Sequence, residues 1–159
     1  MGLQKPVLST LSAIALATIA VPAIVLEASA QLTAPYVSGA GTLDRNQDHF
    51  VDIEAAGGPL ERVKVVCVTF HQLEDVKVVD GDGNDIPHTV NYGFEEFTVT
   101  FDEPIPEGEK ARFVLVDSRV RGRRTGLTIP YRIFGTTPML EGLIPFGTAI
   151  VTVPEVTGR

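Results

Sequence analysis

Tryptophan is absent from the 159-residue chain, cysteine occurs once and methionine twice. One cysteine allows no disulfide within the chain, so packing, bound ions or self-association must stabilise the fold. No stretch repeats apolar residues at the helical period, which argues against helical bundles and α/β architectures. Groups for catalysis are equally scarce. Beyond residue 30 the only serines are Ser38 and Ser118, and neither lies in a Gly-x-Ser-x-Gly elbow. His49, His71 and His88 lack the spacing of zinc ligands, and His71 and His88 read as surface polar residues at strand ends. Cys67 sits in the apolar run Val63-Lys64-Val65-Val66-Cys67-Val68, where burial makes a thiol inert. Gly81 and Gly83 precede a strand rather than a helix, so no phosphate-cradling loop is present. The carboxylate pairs Glu95 and Glu96, Asp102 and Glu103, Glu107 and Glu109 come with no aromatic platform for a sugar. They read as a solvated acidic face rather than a glycosidase pair. The sequence therefore does not read as an enzyme.

What is present begins with an export signal. Lys5 lies in a short polar head, residues 7–26 are apolar or small apart from scattered hydroxyls, and Ala28-Ser29-Ala30 offers a small-x-small cleavage site. A membrane anchor is the rival reading, disfavoured by Pro22 and by the polar Ser9, Thr10, Ser12 and Thr18. No basic-Gly pair precedes the apolar run, so pilin-type processing is not expected. Residues 1–30 are thus expected to be a cleaved signal peptide, and residues 31–159 one domain that works outside the cell or at its surface. Removing the leader takes away Lys5 and Glu27 and leaves the net charge at −7. Such a surface repels nucleic acid and membranes and attracts divalent cations. Few asparagines, methionines and cysteines, with arginine favoured over lysine, fit a hot habitat.

The domain reads as all-β. Residues 60–70 form a long β-branched run, and residues 76–79 and 86–90 flank the turn-rich Asp80-Gly81-Asp82-Gly83-Asn84-Asp85, a hairpin signature. Phe97, Val99 and Phe101 alternate with polar partners, and Ala111, Phe113 and Leu115 alternate with Arg112, Val114 and Val116. Prolines 104 and 106 are expected to exclude residues 102–108 from any central strand. Residues 128–134 and 146–153 complete the set, joined by residues 135–145. About eight short strands with Gly and Pro at the joints indicate one β-sandwich or jelly roll. Residues 31–40, uncharged and extended, either lead into the first strand or leave the domain.

One stretch suggests a ligand. Asp44, Asn46, Asp48 and Asp52 occupy relative positions 1, 3, 5 and 9, the rhythm by which a tight loop presents oxygens to Ca²⁺. The carbonyl of Phe50 falls at position 7. The usual Gly at position 6 and Glu at position 12 are His49 and Ala55, so Glu54, Glu61 or a neighbouring chain must supply the missing carboxylate. The alternative reading is a polar turn between two strands, where Asp and Asn are common because they tolerate turn geometry. Asp80 and Asp82 repeat the rhythm as candidates for a second cation, although Asp-Gly and Gly-Asn steps suit a hairpin turn by backbone conformation alone. Arg119, Arg121, Arg123 and Arg124 form a basic turn, either solvated or paired with acidic loops of another subunit.

Together, the leader, the extended N-terminus and Gly41-Thr42-Leu43-Asp44-x-Asn46-x-Asp48-x-x-x-Asp52 resemble the cannula proteins of hyperthermophilic archaea. Those proteins assemble into extracellular tubules with Ca²⁺. The resemblance implies Asp44, Asn46, Asp48 and Asp52 as ligands, and a segment of one subunit completing the sheet of the next. A weaker similarity, through residues 97–108, is to secreted cyanobacterial sandwich domains and implies no activity. Two functions follow as expectations. One is an exported structural subunit that polymerises head to tail with calcium, residues 31–38 donating a strand. The other is a monomeric, calcium-stabilised surface module that binds a glycan or an envelope protein.

Overall fold

The computed structural model describes residues 33–43, 47–68 and 70–155. The expected leader lies outside them, as do Asp44 and Asn46. Among the described residues every regular element is a strand, and there are eleven: β1 (Tyr36–Leu43), β2 (Asp48–Glu54), β3 (Leu60–Val66), β4 (His71–Gln72), β5 (Asp75–Val79), β6 (His88–Gly93), β7 (Glu96–Ile105), β8 (Lys110–Val116), β9 (Arg119–Val120), β10 (Leu127–Thr137) and β11 (Leu140–Val153). One sheet has the order β1-β2-β8-β5 and the other β11-β10-β3-β7-β6, while β4 and β9 pair as a small third sheet. The architecture is a β-sandwich.

Alternation along the strands builds its core. Val51 and Ile53 of β2 with Ala111, Phe113 and Leu115 of β8 point inward from one sheet. Val63 and Val65 of β3, Phe97 and Val99 of β7, and Ile129 and Ile133 of β10 meet them from the other. Phe101 and Phe113 touch edge-on across the interface, with ring centroids 6.1 Å apart. Gly135 lies in the middle of β10 between β3 and β11. A Cβ there would run into the Arg62 carbonyl and the Phe146 ring. Gly135→Ala should therefore cost about 2–3 kcal/mol by overpacking. A thermal melt equal to that of the parent protein would show this packing to be wrong.

Several boundaries differ from expectation, each for a local reason. The long run from residue 60 stops at Val66, and the chain turns at Phe70, whose φ is 60°. β7 continues through Pro104 to Ile105, because the register slips between Leu60↔Ile105 and Arg62↔Thr100 and frees the proline from the ladder. Residues 135–145, expected as a joint, belong mostly to the β10–β11 hairpin. The turn after β5 does begin as a hairpin, with a Val79↔Asp85 bridge and Ile86 N donating to Val78 O. The chain then crosses to the opposite sheet, so β5 and β6 are not hairpin partners.

Residues 36–43 form β1 and pair antiparallel with β2, from Tyr36↔Glu54 to Leu43↔Asp48. The C-terminal part of the proposed donor segment is thus part of its own chain's sheet. The edges are covered as well. Val37 lies beside Gly147, so edge strands β1 and β11 run against each other. On the far side, His88 Nε2 lies 3.2 Å from the Val76 carbonyl and ties β6 to β5.

Candidate functional site

The acidic stretch of residues 44–54 is a strand over most of its length. β2 starts at Asp48, so Asp48 and Asp52 stand four residues apart on an extended chain, about 13 Å. Two oxygens on one Ca²⁺ lie at most about 5 Å apart, so these two carboxylates do not share an ion. Each has its own work. Asp52 is buried, and its two oxygens accept from Arg112 Nε and a terminal nitrogen at 2.7 and 2.9 Å. The guanidinium also lies 4.5 Å over the Phe50 ring. Gly39 and Gly41 of β1 leave room for this stack, since a Cβ on Gly41 would press on the Phe50 ring and one on Gly39 on Asp52. The Phe50 backbone belongs to an interior strand, paired with Gly41 on one side and Val114 on the other. Its carbonyl is thereby directed along the sheet rather than into a cation loop. Glu54 accepts from the Tyr36 hydroxyl, a bond that holds the phenol's pKa above its ordinary value. Asp48 Oδ1 accepts from Asp117 N at 2.9 Å. Glu61, on β3, belongs to the other sheet.

Asp80 likewise serves its own turn. Its Oδ1 accepts from the backbone of Asp82 and Asn84 at 2.9 and 2.8 Å, and its Oδ2 from the Asn84 side chain at 3.0 Å. The Asn84 side-chain bond, then its backbone bond, hold the Asp80 carboxyl below the usual range. Asp82 is exposed beside it. Among the described residues no group of three or more His, Cys, Asp or Glu side chains is placed to hold a metal ion.

What the structure does bring together lies at the end of the sandwich formed by residues 67–68, 70–73, 92–97 and 117–124. Tyr131 of β10 is a buried hub there. Its hydroxyl lies 2.6 Å from His49 Nδ1, 3.0 Å from His71 Nε2 and 3.2 Å from Ser118 Oγ, and His71 Nε2 is 2.9 Å from the same serine. Both imidazoles meet the phenol ring edge-on, at centroid distances of 6.0 and 5.4 Å. His49 belongs to β2, so the cluster joins the two large sheets and the small one. Burial pushes His49 down to about 4, against a smaller opposing pull from Asp48. Burial, helped by the charge of His49, brings His71 to about 4 as well. Burial pushes the Cys67 thiol up to about 12 and raises the Tyr131 phenol. The expectation that His71 is a plain surface residue thus fails, because its ring tip turns in to Tyr131 and Ser118.

Around this cluster the backbone is strained. Phe70, Glu95, Asp117 and Arg121 are the non-glycine residues with positive φ among those described, and all four lie at this end. Such conformations cost about 1–3 kcal/mol each and gather where function constrains the chain. Phe70 and Phe94 are exposed at 67% and 87%, and Tyr92 is half exposed. Cys67, His71, Gln72, Tyr92, Glu95 and Phe97 are among the residues lining a cleft of about 210 Å³ between them. Asp117 collects both Arg119 and Arg124, and the Arg119 hydrogen bond first of all holds its carboxyl low. Arg121 and Arg123 are exposed and make no ion pair among the described residues.

The sequence matches no protein-family model and no curated protein. Its fold is similar to solved structures at low identity. The Jo.In complex of RrgA is 10% identical over 77% of this chain and 78% of that one, with a TM-score of 0.45. The full-length major pilin SpaD of Corynebacterium diphtheriae is 14% identical over 73% of this chain, with a TM-score of 0.46, and the match spans 32% of the pilin. A non-cellulosomal cohesin from the hyperthermophilic archaeon Archaeoglobus fulgidus is 13% identical over 77% of this chain and 93% of that one, with a TM-score of 0.45. At that level the likeness is one of β-sandwich architecture and assigns no function. None of these three shows the tubule-subunit family that the acidic stretch resembles. Among the described residues no helix is long and apolar enough to cross a membrane.

Proposed function

We propose that the chain is a non-catalytic, exported structural subunit that associates with copies of itself through the ends of its sandwich. The observation that carries this reading is the gathering of all four left-handed non-glycine residues at one end, beside exposed Phe70 and Phe94 and the unpaired Arg121 and Arg123. Strain and exposed aromatics at one place support a contact surface. Exchange of residues 31–38 between copies would require β1 to leave β2, so contact is assigned to the ends rather than to a donated strand. Calcium, in this reading, is bound by Asp44, Asn46 and Asp48 and lowers the repulsion between chains of charge −7.

Sedimentation velocity at rising protein concentration, with and without millimolar Ca²⁺, tests this. Larger species should appear with concentration, and calcium should enrich them. A monomer under every condition overturns self-association, and association indifferent to the ion removes calcium from it. A second reading, a monomeric surface module, is favoured by the aromatic-rimmed cleft beside His71 and Gln72. A monomer whose melting temperature rises with an added glycan or envelope protein would establish it.

A further inference from the structure

The unpaired arginines sit on a preformed projection. Val120 and Arg123 exchange backbone hydrogen bonds at 3.0 Å in both directions, closing a two-residue turn. Its central residues, Arg121 and Gly122, both have positive φ, at 53° and 73°. Two left-handed residues in succession make the tightest hairpin tip, and the tip here carries an arginine at a position that favours glycine. Arg121 N also donates to the Phe70 carbonyl at 3.0 Å, which fixes the base of the projection.

The opposite end of the sandwich carries a groove of opposite charge. The register Asp75↔Val116 and Val79↔Arg112 places the arginine turn beyond one end of β8 and the turn after β5 beyond the other. There a groove of about 400 Å³ runs between Ile86, Pro87, Pro104 and Pro106, with Asp102 and Glu103 on its rim. Both rim carboxylates are exposed and make no ion pair among the described residues. Proline walls hold such a groove open without ordering cost. An arginine suits it, since its stem lies on apolar surface while its planar head pairs with carboxylates.

We propose that the turn Val120-Arg121-Gly122-Arg123 of one copy docks into the groove of Ile86, Pro87, Asp102, Glu103, Pro104 and Pro106 of a second copy. The inference rests on the self-association proposed above and names its surfaces. Because the two surfaces differ and lie at opposite ends, each copy retains one free turn and one free groove. The contact therefore propagates as a chain instead of closing at a dimer.

Charge reversal tests it. Arg121→Glu with Arg123→Glu should weaken self-association about a hundredfold or more, and so should Asp102→Lys with Glu103→Lys, because like charges then face each other. Mixing the two variants should restore association, since each reversed surface meets an opposite one. Melting temperatures equal to the parent's establish that both variants fold. Association of the unaltered protein gives a readout free of mutation, and it should weaken as salt rises from about 50 to 500 mM. If the parent associates but either reversal changes its affinity less than twofold, or mixing restores nothing, these surfaces are wrong and self-association stands. Association indifferent to salt overturns the same surfaces. A parent that stays monomeric overturns both proposals.

Discussion

Taking the protein from pH 7 to pH 4.5 should remove about 4 kcal/mol of stability. In an unfolded chain His49 and His71 titrate near 6.5, whereas burial holds both near 4 in the fold. Between those values the unfolded state binds up to two more protons than the folded one. Stability is therefore complete above about pH 6.5 and declines as pH falls toward 4. A shift of one pKa unit corresponds to 1.36 kcal/mol, so two histidines moved about 2.5 units set a ceiling near 7 kcal/mol. About 5 kcal/mol of that falls between pH 7 and pH 4.5, and the water that the cleft admits to His71 brings the expectation lower. His49 Nε2 is buried and has no hydrogen-bond partner among the described residues, so a charged His49 would hold an unpaired N–H in the core. Total stabilities of single domains are about 5–15 kcal/mol, so much of this domain's reserve would be spent before its carboxylates protonate. Urea titrations at pH 7, 6, 5 and 4.5 measure the effect. A midpoint that does not move across that range would mean that neither histidine is buried as described.

Tyr131→Phe should cost about 3 kcal/mol while keeping the shape of the core. The ring and its edge-on contacts with both imidazoles remain, and only the hydroxyl is lost. His71 and Ser118 retain each other at 2.9 Å, but His49 loses its one side-chain partner among the described residues. One buried imidazole left without a hydrogen bond costs about 1–3 kcal/mol, and the severed links to His71 and Ser118 add to it. A fall in melting temperature of roughly 10 °C is the expected reading. A melt within a degree or two of the parent's would show that Tyr131 packs but does not link.

The sandwich was legible because its strands alternate cleanly, as at Phe97, Val99 and Phe101, and no helical period competes. Where a strand violates its own rules the sequence misleads. Pro104 signals an ending, yet a slip in register lets β7 run on past it. The acidic stretch shows a deeper ambiguity. Ligands at alternate positions of a calcium loop and residues on one face of a strand share the same spacing of two. Asp48, Phe50 and Asp52 satisfy both patterns, and the residue that decides for Asp52 is Arg112, sixty positions away. The histidine cluster left a fainter trace. His49 is in phase with the inward Val51 and Ile53, and Tyr131 with Ile129 and Ile133, so a polar pair inside the core was readable. Their meeting with His71 and Ser118 depended on how β4 and β9 fold over the end, and two-residue strands leave no periodic signal. The arginine turn was visible in the sequence. Its separation into Arg119 and Arg124 bound to Asp117, and Arg121 and Arg123 left to the solvent, was not.

Cys67 closes the wall between the cleft and the core, with its thiol held far from ionisation. At neutral pH almost none of it is thiolate, and thiolate is the form that attacks alkylating or disulfide reagents. In the folded chain the thiol is thus slow to react with such reagents. The same residue becomes a clock once this end of the sandwich loosens. A dye that couples to sulfur then marks each chain whose wall has parted, and the pace of colouring follows how often that happens.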